Sequence, residues 1–414
     1  MSREKEARSR IIQVKSGVIG PVEAKTRKVR SKTLGDYPEV ASAHREVAKL
    51  YSSPLLVGPP ICDELMALIR HMFTEEEAGL VRHLRPLFGK SASELARDEH
   101  RPESEVGPIM SRLAFEKRVI ISREKNGTRI FYLMPIVPGT FEYSMMRASM
   151  DSLTDWNRRF AELFEALWET GYFVDYSRYA SPIVRYVPVG QAISAHPMAL
   201  PADQMEGILD RYQSFGVTNC QCRMAEEIMG RGCGRPKENC LMMGPWTEVA
   251  VERGWHRKVS RKEALEIKLE AEAAGLVNWM VWEESGQTTT GSCSCCGCCC
   301  HMLRTVTEFN APGNIAPPHF LPRMDLVKCS YCGKCAIACP MGAIRMDTKA
   351  KTYEHLILRC IGCGLCKVAC EKEKAISMEP NRNYQAPPPT MRSLLLRSTP
   401  GYIRNAWSVW RKFR

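Results

Sequence analysis

The sequence predicts a multidomain α+β protein, and three observations carry that expectation. At 414 residues the chain exceeds what one hydrophobic core usually organises, so about two to four domains are expected. Residues 72–135 read as short helices followed by a strand hairpin. Of the 19 cysteines, 18 fall between Cys220 and Cys370, which sets a cysteine-dense region apart from an N-terminal part that holds only Cys62.

The composition, with 44% hydrophobic and 25% charged residues, is that of a soluble globular protein. The opening MSREKEARSR has no apolar stretch of the kind a secretory signal needs, and no apolar run approaches the roughly 18 residues of a spanning helix. A cytoplasmic chain is therefore expected. In that reducing compartment dense cysteine means metal binding rather than disulfides. The net charge of +12 is concentrated at the ends: residues 1–32 carry +7, residues 381–414 carry +7, and the body between is slightly acidic. Basic tails of this kind meet acidic partners, membrane surfaces or nucleic acid.

Residues 1–50 lack sustained periodicity and read as a basic flexible arm. A folded unit is expected over 51–147. Thr74 and Glu77 frame a capping box that opens a helix, Ser93–Ala96 reads as a second helix, and a third opens at Pro102 and runs to about Lys117. Val119–Arg123 and Arg129–Leu133 follow as strands, with Asn126-Gly127 between them as a hairpin signal. This order resembles a winged helix-turn-helix domain. The resemblance implies DNA binding through the third helix, but that helix has few base-reading residues and holds Gly107-Pro108; only Arg123, Lys125 and Arg129 make the hairpin basic. DNA is the less favoured partner, and protein docking the plainer reading.

Residues 148–310 are expected to form a cysteine-rich α/β domain. It would begin with an amphipathic helix over 153–171, whose stripe of Leu153, Trp156, Phe160, Leu163, Phe164, Leu167 and Trp168 reads as core. Ser260 caps a helix that stops at Gly275, and 276–282 looks like a buried strand. Residues 311–323 are a Pro-rich linker, 324–380 a second cysteine module, and 381–414 a basic tail.

The most specific signal is Cys329-x2-Cys332-x2-Cys335-x3-Cys339-Pro340, repeated as Cys360-x2-Cys363-x2-Cys366-x3-Cys370. Two-residue gaps let three successive thiolates reach neighbouring irons of one cubane, and the fourth cysteine of each run serves the other cluster. Two [4Fe–4S] clusters are thus expected, one on Cys329, Cys332, Cys335 and Cys370, the other on Cys360, Cys363, Cys366 and Cys339. The segment resembles the bacterial two-cluster ferredoxins and implies their fold; Glu371 stands where that family often has a second proline.

Two further groups lie upstream. Cys220, Cys222, Cys233 and Cys240 read as a third metal site, with Arg223, Arg231, Arg235 and Lys237 favouring their thiolate forms. Cys293, Cys295, Cys296, Cys298, Cys299 and Cys300 are more than one cubane needs. They read as one cluster with spare thiols, as ligands shared with the preceding group, or as a larger non-cubane cluster. One or two additional iron–sulfur clusters are expected here, with zinc as the alternative. The Cys-Cys-Gly step is similar to the cysteine-rich modules of heterodisulfide reductases but lacks their wider spacing. The whole order resembles multidomain iron–sulfur proteins of anaerobic bacteria and archaea, which implies cluster content rather than a reaction.

From Tyr402 to Arg414 the tail fits a helix with Tyr402, Ile403, Ala406, Trp407, Val409, Trp410 and Phe413 on one arc and basic residues opposite. That pattern suits a peripheral place on the inner membrane surface, a partner groove or the protein's own fold. No acid–base pair or nucleotide-binding glycine loop stands out. The sequence thus points to an electron-transfer protein or oxidoreductase subunit that serves partner redox proteins. The alternatives are a redox-sensing DNA-binding regulator and a reductase with its centre at 293–300.

Overall fold

A computed structural model describes residues 2–147, 149–284 and 290–412, and divides the chain into two units. One takes the N-terminal stretch through Lys25 and the run Ser177–Tyr402. The other takes Thr26–Arg147, Asp151–Tyr176 and the chain from Ile403.

The cysteine-bearing unit starts where a flexible arm was expected, and the arm is folded. Helix Arg3–Ser9 leads into strands Ile12–Lys15 (β1) and Val18–Pro21 (β2). Part of its charge is paired with acids of the same unit. Arg10 reaches the fully buried Glu226 at 2.6 Å, Arg3 reaches Glu227 at 2.7 Å, and Lys25 reaches Glu308 at 3.3 Å. The acids that order the arm lie more than 200 residues away, which is why local pattern reading missed it.

The centre of this unit is a six-stranded antiparallel sheet. Its strands are Val184–Val187 (β3), Phe215–Asn219 (β4), Glu238–Met243 (β5), Arg257–Val259 (β6), Val277–Val281 (β7) and Thr290–Cys295 (β8), in the order β3-β7-β8-β5-β4-β6. Helix Arg261–Ala273 begins at the expected cap, Ser260, and ends before Gly275 at φ +73°. Strands Phe320–Met324 (β9) and Ile376–Pro380 (β12) pair with each other, so the end of the expected linker is structural. Strands Ile344–Asp347 (β10) and Thr352–His355 (β11) form a hairpin, and β2 adds to it to give the order β1-β2-β10-β11. The 324–380 module therefore belongs to the same unit as the upstream cysteines.

In the other unit, helices Glu75–Val81, Ala92–Asp98 and Glu103–Arg112 precede an antiparallel hairpin of Ile121–Lys125 and Thr128–Tyr132, with Lys90–Ser91 as a third, short strand. Thr74 and Glu77 make the expected capping box, and Asn126 and Gly127 both take positive φ. Pro108 does not break its helix. Helix Asp155–Glu169, expected in the cysteine-rich domain, belongs here instead. Its aromatic stripe is core, with Phe164 stacked on Phe141 at 4.2 Å between ring centroids. Among the described residues no helix is long and apolar enough to cross a membrane.

Candidate metal centres

Two short helices in the 324–380 module, Lys334–Ala338 and Leu365–Ala369, are each capped by a left-handed glycine, Gly333 at φ +78° and Gly364 at φ +79°. Side chains rarely adopt that conformation. A Cβ on Gly364 would meet the Ala192 Cβ at 2.3 Å, and one on Gly333 would meet Ile19 at 2.3 Å. The two halves thus fold alike, and each brings its first three cysteines around one end of its helix.

Two cavities result. Cys339, Cys360, Cys363 and Cys366 line one, and Cys329, Cys332, Cys335 and Cys370 line the other. These are the two crossed sets that the spacing predicts. The thiols of each set stand around a space instead of collapsing on one another. Backbone amides donate to two of the sulfurs, Ala343 N–H to Cys339 Sγ at 3.2 Å and Tyr331 N–H to Cys329 Sγ at 3.4 Å. Burial pushes the thiols of Cys335 and Cys360 up to about 12, so the protein alone does not hold thiolates there. Bound metal, displacing the protons, would supply the missing positive charge. The two sets differ in access. In the first set Cys332 is exposed, Cys329 and Cys370 are half-buried and Cys335 is buried; in the second Cys339, Cys363 and Cys366 are buried and Cys360 is half-buried.

The upstream ten cysteines regroup relative to the sequence reading. Cys220, Cys222, Cys233 and Cys240 are not brought together as one set. Cys233 instead joins Cys296, Cys298 and Cys299, all four buried, with every Sγ within 4.8 Å of the others. A single tetrahedral ion with M–S bonds of about 2.3 Å needs S···S edges of about 3.8 Å, and this spacing fits it. Arg235 and Arg10 are the neighbouring cations. Cys296 is held well below the usual thiol range, because it accepts from Cys233, Cys298 and Cys299.

Cys220, Cys222 and Cys240 join Cys293, Cys295 and Cys300. The sheet makes this arrangement. Cys293 and Cys295 are alternate residues of β8 and so share a face. Register places Ser292 opposite Leu241, and one step on, Cys293 Sγ lies 2.9 Å from Cys240 Sγ. Cys220 caps helix Gln221–Ile228, and Cys300 caps helix His301–Thr307. The contacts close into a ring: Cys220 to Cys222, to Cys300, to Cys295, to Cys293, to Cys240 and back to Cys220. Around it the thiols alternate. Cys220, Cys293 and Cys300 accept from both neighbours and are held low; Cys222, Cys240 and Cys295 donate and are driven high. His301 Nδ1 is 3.5 Å from Cys222 Sγ.

Arg223 serves both upstream groups. It is 2% exposed, donates to Ser294 O at 2.8 Å and to Asn239 Oδ1, and has Cys220, Cys296, Cys295 and Cys233 as electrostatic neighbours. Cys62 lies in the other unit, a buried thiol pushed up to about 12 by burial, and reads as packing.

Gly297 joins the upstream sites to the 324–380 module. A Cβ there would fall 1.8 Å from the Pro340 carbonyl oxygen, beside Cys339. Gly297→Ala should destabilise the loaded protein by about 3 kcal/mol or more, at or beyond the upper end of ordinary overpacking. Denaturation midpoints of the two proteins, compared anaerobically, check this; a difference under about 1 kcal/mol would mean that the loop moves aside.

No curated protein and no solved structure matches this chain. Residues 328–374 do match a family model, that of the 4Fe-4S dicluster domain, and with both its cysteine runs lining paired cavities the chain is an iron–sulfur protein with an electron-transfer role.

Proposed function

We propose that the chain takes single electrons from a partner protein at one [4Fe–4S] cluster on Cys329, Cys332, Cys335 and Cys370. They pass to a second on Cys339, Cys360, Cys363 and Cys366, and on toward the upstream thiol sites. The observation that carries this reading is the gradient of burial. The first set reaches the surface beside exposed Leu326 (54%) and Val327 (97%), an apolar rim suited to a redox partner. Of the second set, Cys339 and Cys363 are buried in one apolar cluster with Cys295 and Cys300, and Cys360 packs against it. The four-thiol group Cys233, Cys296, Cys298 and Cys299 would hold one tetrahedral zinc or iron.

Anaerobic iron and acid-labile sulfide analysis with redox-poised EPR tests it. About eight irons from the dicluster module, in two reducible clusters, are expected; fewer than about four would sink the reading.

The helices and hairpin of the other unit support a winged-helix reading, but not DNA as its partner. The exposed face of Glu103–Arg112 carries Glu103 and Glu105 in its first turn, where a recognition helix would approach phosphates and base edges. Fluorescence anisotropy at physiological salt, in oxidised, reduced and apo states, should show no sequence-specific DNA binding; tight binding in any state would restore the regulator. The unit is better read as a docking module. In its C-terminal segment Ile403, Trp407 and Trp410 remain exposed while Asn405 and Val409 are buried. That apolar stripe among basic residues supports contact with a partner groove or an anionic membrane surface. Phe413, of the same expected arc, lies outside the described residues.

A further inference from the structure

The six-thiol ring exceeds what the other sites use. One tetrahedral ion takes four thiolates, and a [4Fe–4S] cubane also takes four. Either would leave two thiols of the ring without a metal, although all six are hydrogen-bonded into one closed set. A two-metal, six-thiolate site without sulfide needs bridging sulfurs in contact with more than two others. In the ring each sulfur is bonded to two neighbours.

Two buried donors face the same place. Tyr186 is 5% exposed, its hydroxyl has no hydrogen-bond partner among the described residues, and Cys300, Cys295, Cys293 and Cys222 are its electrostatic neighbours. Sheet register sets it there: Tyr186 pairs with Trp279, and Trp279 with Cys293. Arg223 Nε, beside Cys220 and Cys295, also lacks a partner among the described residues. Buried donors without acceptors are uncommon and call for explanation. Sulfide of an inorganic cluster is an acceptor that would satisfy both.

We propose that Cys220, Cys222, Cys240, Cys293, Cys295 and Cys300 together ligate one polynuclear iron–sulfur centre larger than a four-iron cubane, with the Tyr186 hydroxyl donating a hydrogen bond to it. This deepens, and rests on, the iron–sulfur electron-transfer reading.

The test is iron, sulfide and zinc per chain on the anaerobically isolated full-length protein, with potentiometric EPR. The dicluster module accounts for about eight irons and a further cubane would bring about twelve. Iron clearly above twelve, with sulfide in step, is expected. Twelve or fewer, or zinc without sulfide beyond the one ion of the four-thiol group, overturns the proposal. Cys295→Ser/Cys300→Ser should lose the iron and sulfide beyond the dicluster share, apart from any single ion on the four-thiol group. Tyr186→Phe keeps the ring's shape and should leave metal content unchanged, while the potential of the additional centre moves negative, because a hydrogen bond that stabilises the reduced cluster is lost. An unmoved potential overturns the role of Tyr186. Failure of the underlying reading would show separately, as a Cys363→Ser protein whose iron does not fall by about four.

Discussion

Cys363→Ser will lower iron and sulfide by about four each per chain and will disconnect the upstream sites from external reductant. Cys332→Ser will remove a similar amount of iron but will act at the other end. The distinction follows from burial. Cys332 is exposed among the set nearest the surface, and Cys363 is buried in the core that also holds Cys295 and Cys300. Val189 N–H donates to the Cys363 carbonyl at 2.9 Å, and Lys367 Nζ to the Ala192 carbonyl at 2.6 Å, so the inner half is bolted to the upstream domain through backbone. In Cys332→Ser the inner cluster should still be reduced by a small diffusible reductant, but slowly by a protein donor. In Cys363→Ser the outer cluster should accept electrons from either, and the upstream signals should stay oxidised. Stopped-flow absorbance with a low-potential protein donor and with dithionite separates the cases. Equal behaviour of the two variants would mean that the clusters are not in series.

The dicluster module was legible because its information is local: each run of four cysteines sits within eleven residues, and both crossed sets line their own cavity. The upstream sites were not, because strand register builds them. Cys240 and Cys293 are 53 positions apart and meet only because β5 and β8 are neighbours. Cys233 looks in sequence like the partner of Cys220 and Cys222, yet the loop after helix Gln221–Ile228 carries it to the 296–299 turn. Helix starts set by capping chemistry were readable at Thr74 and Ser260. The basic arm was not readable as ordered, since its stabilising acids, Glu226 among them, are remote in sequence. Helical periodicity put Trp407 and Val409 on one apolar arc. The structure buries Val409 with Asn405, whose amide donates to the Tyr176 carbonyl at 2.7 Å, and leaves Trp407 outside.

Arg223→Met should have the largest effect of any substitution outside the cysteines. The side chain is buried, and its charge neighbours both the ring and the four-thiol group, through Cys220 and Cys295 on one side and Cys233 and Cys296 on the other. Removing one partner of a buried charge interaction costs about 3–5 kcal/mol, since the opposite charge remains buried and unpaired. Here the charge left behind belongs to the metal-bound thiolates of two sites, so the cost should appear as metal loss. A penalty of that size corresponds to weakening metal retention by about a hundred- to several-thousandfold, at roughly 1.4 kcal/mol per decade. Arg223→Lys should recover only part of it. An ammonium keeps the charge but cannot reproduce the fork that holds Ser294 O and Asn239 Oδ1 together. Chelator competition under anaerobic conditions reads the effect directly, and the dicluster iron, which Arg223 does not touch, is the internal control. If both variants kept their upstream metal at the unaltered protein's rate, the thiolate charge would have to be offset elsewhere, and Lys268, buried beside Cys293 and Cys240, would be the next residue to replace.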